Sequence, residues 1–140
     1  MTRSIPFLLT LSLLTILTWG CFETRSPSEQ VARRFRDHYY VKTDLKLVAE
    51  ECDGYALERV RESLRLTDRQ VVDRTTHRPK ISYHLVNSSL KGLGEGPEAT
   101  YLFEVLIEPE KVKAITKKTR LKLRERKDGK WKVTQFSDHD

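Results

Sequence analysis

The 140-residue chain has two cysteines and one methionine. With so few thiols, no disulfide framework can stand in for a hydrophobic core. No His, Cys or carboxylate pair falls at a helix or hairpin spacing that would ligate a metal, and Asp138-His139-Asp140 reads as a terminal tail, so neither metal nor cofactor is expected. A membrane-spanning helix needs roughly twenty apolar residues. The uncharged run from Ile5 to Trp19 is fifteen residues and is diluted by Thr10, Ser12, Thr15 and Thr18. No internal repeat and no catalytic signature is visible.

What is there begins at the N-terminus. Arg3, the Ile5–Trp19 run and then Gly20-Cys21 have the layout of an export signal. Its end resembles the bacterial lipobox, in which a small residue precedes a cysteine that is acylated and becomes the first residue of the mature protein. Gly20 and Cys21 fit; Trp19 is bulky where a small residue is usual, and Leu17 sits one place upstream of the usual aliphatic position. Two other outcomes fit the same stretch: ordinary cleavage near Gly20, or retention of Ile5–Phe22 as a short anchor. All three put the rest of the chain across the membrane, because Arg3 and the amine favour staying inside. The expectation is therefore a signal peptide at 1–20, a tether at 21–28 and one domain at 29–137, with Cys21 as the lipidation site of a membrane-anchored, periplasm-facing lipoprotein on the outer or inner membrane. If Cys21 carries lipid, Cys52 has no partner; if Cys21 is free, a Cys21–Cys52 bridge becomes available.

The formal charge is +6. It is unevenly spread, since Glu110 to Lys132 holds eleven Lys and Arg against three Asp and Glu. Export removes nucleic acid as the partner of such a basic stretch. Anionic lipid, an acidic cell-wall polymer or an acidic envelope protein take its place.

Ser26-Pro27-Ser28-Glu29 is a helix start, with serine at the cap, proline at the first helical position and an acid in the first turn. Val31, Phe35 and Tyr39 then recur every four residues with Ala32 alongside, while Arg33, Arg34, Arg36 and Asp37 fall largely elsewhere on the wheel, giving an amphipathic helix to about Lys42. Thr43 or Asp44 caps a short second helix through Leu47, Val48 and Cys52. Asp53-Gly54 interrupts it, and a third helix carries Leu57, Val60 and Leu64 on one face. Leu66–Arg78 gives no clear pattern. Beyond Pro79 the period becomes two: Ile81, Tyr83 and Leu85; Tyr101, Phe103, Val105 and Ile107; Thr119, Leu121 and Leu123. Gly92, Gly94, Gly96 and Pro97 join the first two strands. Asp128-Gly129 predicts a two-residue hairpin turn into a last strand, Trp131–Phe136.

Helices followed by four antiparallel strands make an α+β plan, a curved sheet wrapped on a long helix. The stretches SEQVARRFRDHYYVKTD, CDGYALERVRESL and DGKWKVTQF resemble the NTF2-like superfamily, in particular small bacterial envelope proteins of that cone-shaped fold. The resemblance implies a cone between sheet and helices that is either a ligand site or filled core, and a convex sheet face that meets partners. It also implies, as the alternative to a binding or scaffold domain, an isomerase- or dehydratase-type enzyme acting on a small hydrophobic substrate in the cone.

On the strand alternation Tyr39, Tyr83, Tyr101, Phe103 and Trp131 point toward that cone, as a pocket or as core. No catalytic residue is assigned: His84, Glu104 and Glu108 alternate away from the aromatic face, and His38 lies one residue off the helical stripe. Arg120, Lys122, Arg124 and Arg126 form a same-face ladder suited to an anionic partner or a homodimer surface, with Glu104 and Glu108 as expected cross-strand partners.

Overall fold

The computed structural model of the chain describes residues 25–67, 78–92 and 96–139. The signal, Cys21 and the first part of the tether, residues 68–77 of the unpatterned stretch, Gly94 and Asp140 lie outside the described residues.

Helix α1 (Pro27–Arg36) starts where Ser26 Oγ accepts from the Glu29 amide at 3.3 Å, and proline occupies its first turn. It runs straight into a π-helical turn, Asp37–Val41. Asp44 caps α2 (Leu45–Glu50), accepting from the Lys46 and Leu47 amides at 3.1 and 3.2 Å. Gly54, at φ 51°, then turns the chain into α3 (Gly54–Thr67), as only a residue without a Cβ does freely. The strands are β1 (Lys80–Lys91), β2 (Glu98–Glu108), β3 (Ile115–Glu125) and β4 (Trp131–His139).

They form one antiparallel sheet in the order β1-β2-β3-β4, with the helices on one face: an α+β fold. The β3–β4 hairpin differs from the expected two-residue turn. Arg126 N donates to Lys130 O at 2.8 Å and Gly129 N to Arg126 O at 2.9 Å, so the loop has three residues with Gly129 left-handed at φ 78°. That is the next most common hairpin, and Asp-Gly serves it equally well. The register slips between Leu85 and Asn87 on β1 and opposite Lys122 and Leu123 on β4, and such bulges bend strands around a core.

The core joins Val31, Ala32, Phe35, Val48, Cys52, Ala56 and Val60 from the helices to Ala99, Tyr101, Phe103, Leu121, Leu123, Val133 and Phe136 from the sheet. The outer side of β4 is sealed by the α2–α3 junction: Val133 N donates to Glu51 O and Asp53 N to Val133 O, both at 2.8 Å, around a Cys52–Val133 bridge. Among the described residues no strand pairs with the outer side of β1. Nor is any described helix long and apolar enough to cross a membrane.

Candidate functional site

The aromatic residues expected to line the cone sit on the helix-facing side of the sheet or, for Tyr39, on the π-helical turn, where Tyr39 also borders an open cleft of about 690 Å³ between the start of α2 and the end of α3. Tyr101 and Phe103 are buried and stack with centroids 6.3 Å apart. Tyr39 is half-buried, parallel to Phe35 at 5.7 Å and edge-on to Phe136 at 5.5 Å. Trp131, also half-buried, closes the core at the start of β4. Tyr83, on edge strand β1, covers a residue that the helical wheel misplaced.

That residue is Arg36. Expected away from the apolar stripe, it is 0% exposed. Its position follows from spacing: it is four residues after Ala32 and one after Phe35, both of which are buried, so the buried stripe of α1 is wider than the every-fourth pattern implied. Its guanidinium lies against the Tyr83 ring and 4.3 Å from the Phe103 centroid. Ring faces attract a cation but accept no conventional hydrogen bond. None of the three guanidinium nitrogens has a hydrogen-bond partner, and the nearest carboxylate, Asp37, is at 3.9 Å. Burial therefore pulls Arg36 down from the usual 12.5 to about 10, with Tyr83 and Asp37 opposing the shift. The Tyr83 hydroxyl donates to Asp37, so phenol, carboxylate and guanidinium form one polar cluster at the β1 side of the cone.

A second cluster lies under β3 and β4. The π-helical turn lengthens one helical step to five residues, and Tyr40, five after Phe35, is the buried tyrosine of the pair. Its hydroxyl sits 2.6 Å from Thr119 Oγ1 and donates to Asp138, to which Thr119 also donates at 3.0 Å. Burial, and then the hydrogen bond to Asp138, push the phenol well above its ordinary range. Only the register of the π turn would have revealed Tyr40, and local sequence does not encode it. At the cone's other end Tyr101 reaches Ser28 Oγ at 2.7 Å. Burial pushes the Cys52 thiol up from 9 to about 12, leaving it a protonated packing group.

On the convex face, the alternation that buries Thr119, Leu121 and Leu123 turns Arg120, Lys122 and Arg124 outward. Their expected partners are rearranged. Glu104 lies opposite Lys118 and 3.5 Å from His84, Glu108 opposite Lys80 on β1, and Glu98, not foreseen, meets Arg124 at 3.5 Å. Arg120 faces Leu102 and Ser137, and Lys122 faces Thr100 and Gln135. Neither has a carboxylate in range among the described residues. Arg126, just past β3, turns instead to Asp53 and Asp128 at 3.8 and 3.9 Å. Arg124 and Arg126 line an open groove of about 550 Å³ between the hairpin and the start of α3. His38 is half-buried with Nδ1 unpartnered. No group of three or more His, Cys, Asp or Glu among the described residues is placed to hold a metal.

No protein-family model and no curated relative matches the chain. Solved structures do. A SEC-C motif-containing protein from Rhodopseudomonas palustris superposes with a TM-score of 0.54 at 17% identity, over 84% of each chain. A protein from Catenulispora acidiphila gives 0.53 at 14%, over 79% of this chain and 86% of its own. CagV, a VirB8 homolog of the type IV secretion system of Helicobacter pylori, gives 0.53 at 11%, over 83% and 98%. At these identities the likeness is one of fold, an α+β arrangement consistent with the NTF2-like plan expected from the sequence.

Proposed function

We propose that the chain is an exported, membrane-tethered binding or scaffold domain of the bacterial cell envelope. In this reading residues 1–20 are removed and Cys21 carries the lipid. The tether expected at 21–28 ends at Ser26, because Pro27 and Ser28 already belong to α1, and the working domain expected at 29–137 extends to His139 of β4, so that Asp138 is part of the fold and not of a tail. The domain acts through its convex face: Arg120 and Lys122 take a carboxylate or phosphate from an acidic partner, with Arg124 and Arg126 at the margin of the same surface.

The observation that carries this is the contrast between the two faces of the sheet. On the concave face Phe35, Phe103, Leu121, Leu123 and Phe136 belong to one buried apolar cluster. On the convex face two cations stand in the middle of a strand, directly opposite polar or apolar residues and in no ion pair among the described residues. Opposite charges paired across a ladder stabilise each other; a pair of cations left out of such pairing is free to meet negative charge on a partner.

The test is the size of the species in gently solubilised native membranes. The wild-type chain migrates as a salt-sensitive complex, and Arg120→Glu with Lys122→Glu migrates as the free chain. Identical migration of both removes the convex face from the account. Intact mass of the complex separates a homodimer from a partner of another kind.

A further inference from the structure

The chain enters the domain at one end of the sheet, and the residues gathered there form a surface. Ser28 is bonded to Tyr101, and Pro27, Gln30 and Val31 line a groove with Gly129, Lys130 and Trp131. The row Lys91–Glu98–Arg124–Lys132 crosses the sheet at this end. The hairpin 126–130, the end of β1 and the start of α3 therefore surround the point where the chain emerges. Acids there are largely taken up: Asp53 and Asp128 by Arg126, Glu98 by Arg124, Glu29 by Arg33, Glu51 by Arg34. Arg25, Lys91, Lys127 and Lys130 are exposed and in no ion pair among the described residues, against Glu50 and Glu125 as unpaired acids. Two large apolar side chains are exposed in the same region, Leu90 at 70% and Tyr55 at 62%.

We infer that this end of the domain rests on an anionic phospholipid surface, with Lys127 and Lys130 of the hairpin, Lys91 and Arg25 on the headgroups and Leu90 and Tyr55 at the interface. The inference rests on the tethered reading above. Five residue steps separate Cys21 from Ser26, a reach of at most about 18 Å. A strand of eleven residues is about 36 Å long. The opposite end also carries cations, at Lys42, Lys46, Lys111 and Lys113, and exposed apolar side chains, at Val41, Leu66, Val112 and Ile115. A tether that short cannot invert the domain to put that end down. Lysine-rich ends near anionic headgroups are attracted over about one Debye length, so a short tether suffices to seat the near end. The convex face is then left upright, open to the side for a partner.

Amine-reactive footprinting of the full chain, read by mass spectrometry, tests this. The chain is reconstituted through its own N-terminal segment into vesicles of phosphatidylcholine alone or with one third phosphatidylglycerol. The expected result is several-fold protection of Lys91, Lys127 and Lys130 in the anionic vesicles, with Lys42, Lys111 and Lys113 labelled as in neutral ones. Lys127→Glu with Lys130→Glu still floats with the vesicles and loses the protection at Lys91. Equal labelling of both ends, or protection of both as in a domain lying on its side, overturns the orientation while leaving the tether intact. A chain that fails to float with either vesicle overturns the tether, and the orientation with it.

Discussion

The two edges of the sheet solve the same problem differently. At β4 the edge is sealed by backbone: Glu51 and Asp53 bond Val133 on either side of Cys52, and behind them the packing is apolar, with Val48, Phe35 and Phe136 in contact with the same core. At β1 the edge has no strand beyond it among the described residues. It is protected by Lys80, Lys91 and a bulge at Val86, devices that discourage pairing with another chain. Behind it lies Arg36, a buried cation held by ring faces and a distant carboxylate. The sealed side concentrates stability; the open side spends some of it.

Breaking the sealed side has the largest expected effect. Phe136→Ala leaves a cavity between α1, α3 and β4 and costs about 3–5 kcal/mol by chemical denaturation. A loss below about 1 kcal/mol would mean that the two sides do not differ as described. On the open side the sign reverses. Arg36→Met keeps volume and removes an unsatisfied buried charge, and it stabilises the fold by about 1–3 kcal/mol, seen as a higher Tm. Destabilisation by more than about 1 kcal/mol would show that Tyr83 and Phe103 satisfy the guanidinium after all.

Smaller effects sharpen the contrast. Tyr40→Phe strips one hydroxyl from the Thr119–Asp138 cluster and costs about 1–2 kcal/mol. Cys52 adds a pH signature. Its thiol is pushed up to about 12 in the folded chain, so the unfolded chain loses its proton first, above about pH 9. The contribution of Cys52 to stability is therefore complete below pH 9 and is lost as the pH rises toward 12; Cys52→Ala flattens that slope. At neutral pH the thiol resists aromatic disulfide reagents until denaturant is added. Arg120→Glu with Lys122→Glu, both on the convex face, changes stability by less than about 0.5 kcal/mol while abolishing partner docking.

Much of the fold was legible because each element carried its own local signal. Ser26-Pro27 and Asp44 cap helices, Gly54 and Gly129 take left-handed turns, and period-two alternation separates Leu121 and Leu123 from Arg120 and Lys122. Arg36 and Tyr40 were not legible. A wheel assigns charged residues to water, and nothing local says that two rings from β1 and β2 will enclose an arginine. The π turn that swings Tyr40 inward is likewise set by the strands it meets. The cross-strand acids were misassigned for a related reason: register between strands is fixed by turns and bulges, so Glu98 rather than Glu108 came to face β3.

The most direct test of the account is intact-mass analysis of the chain in the membrane fraction of cells that express it. The account predicts a mature chain that begins at Cys21 and carries a lipid adduct, leaving Cys52 a free thiol. A chain that retains Met1–Gly20, or one recovered without lipid and with Cys21 bonded to Cys52, would contradict it.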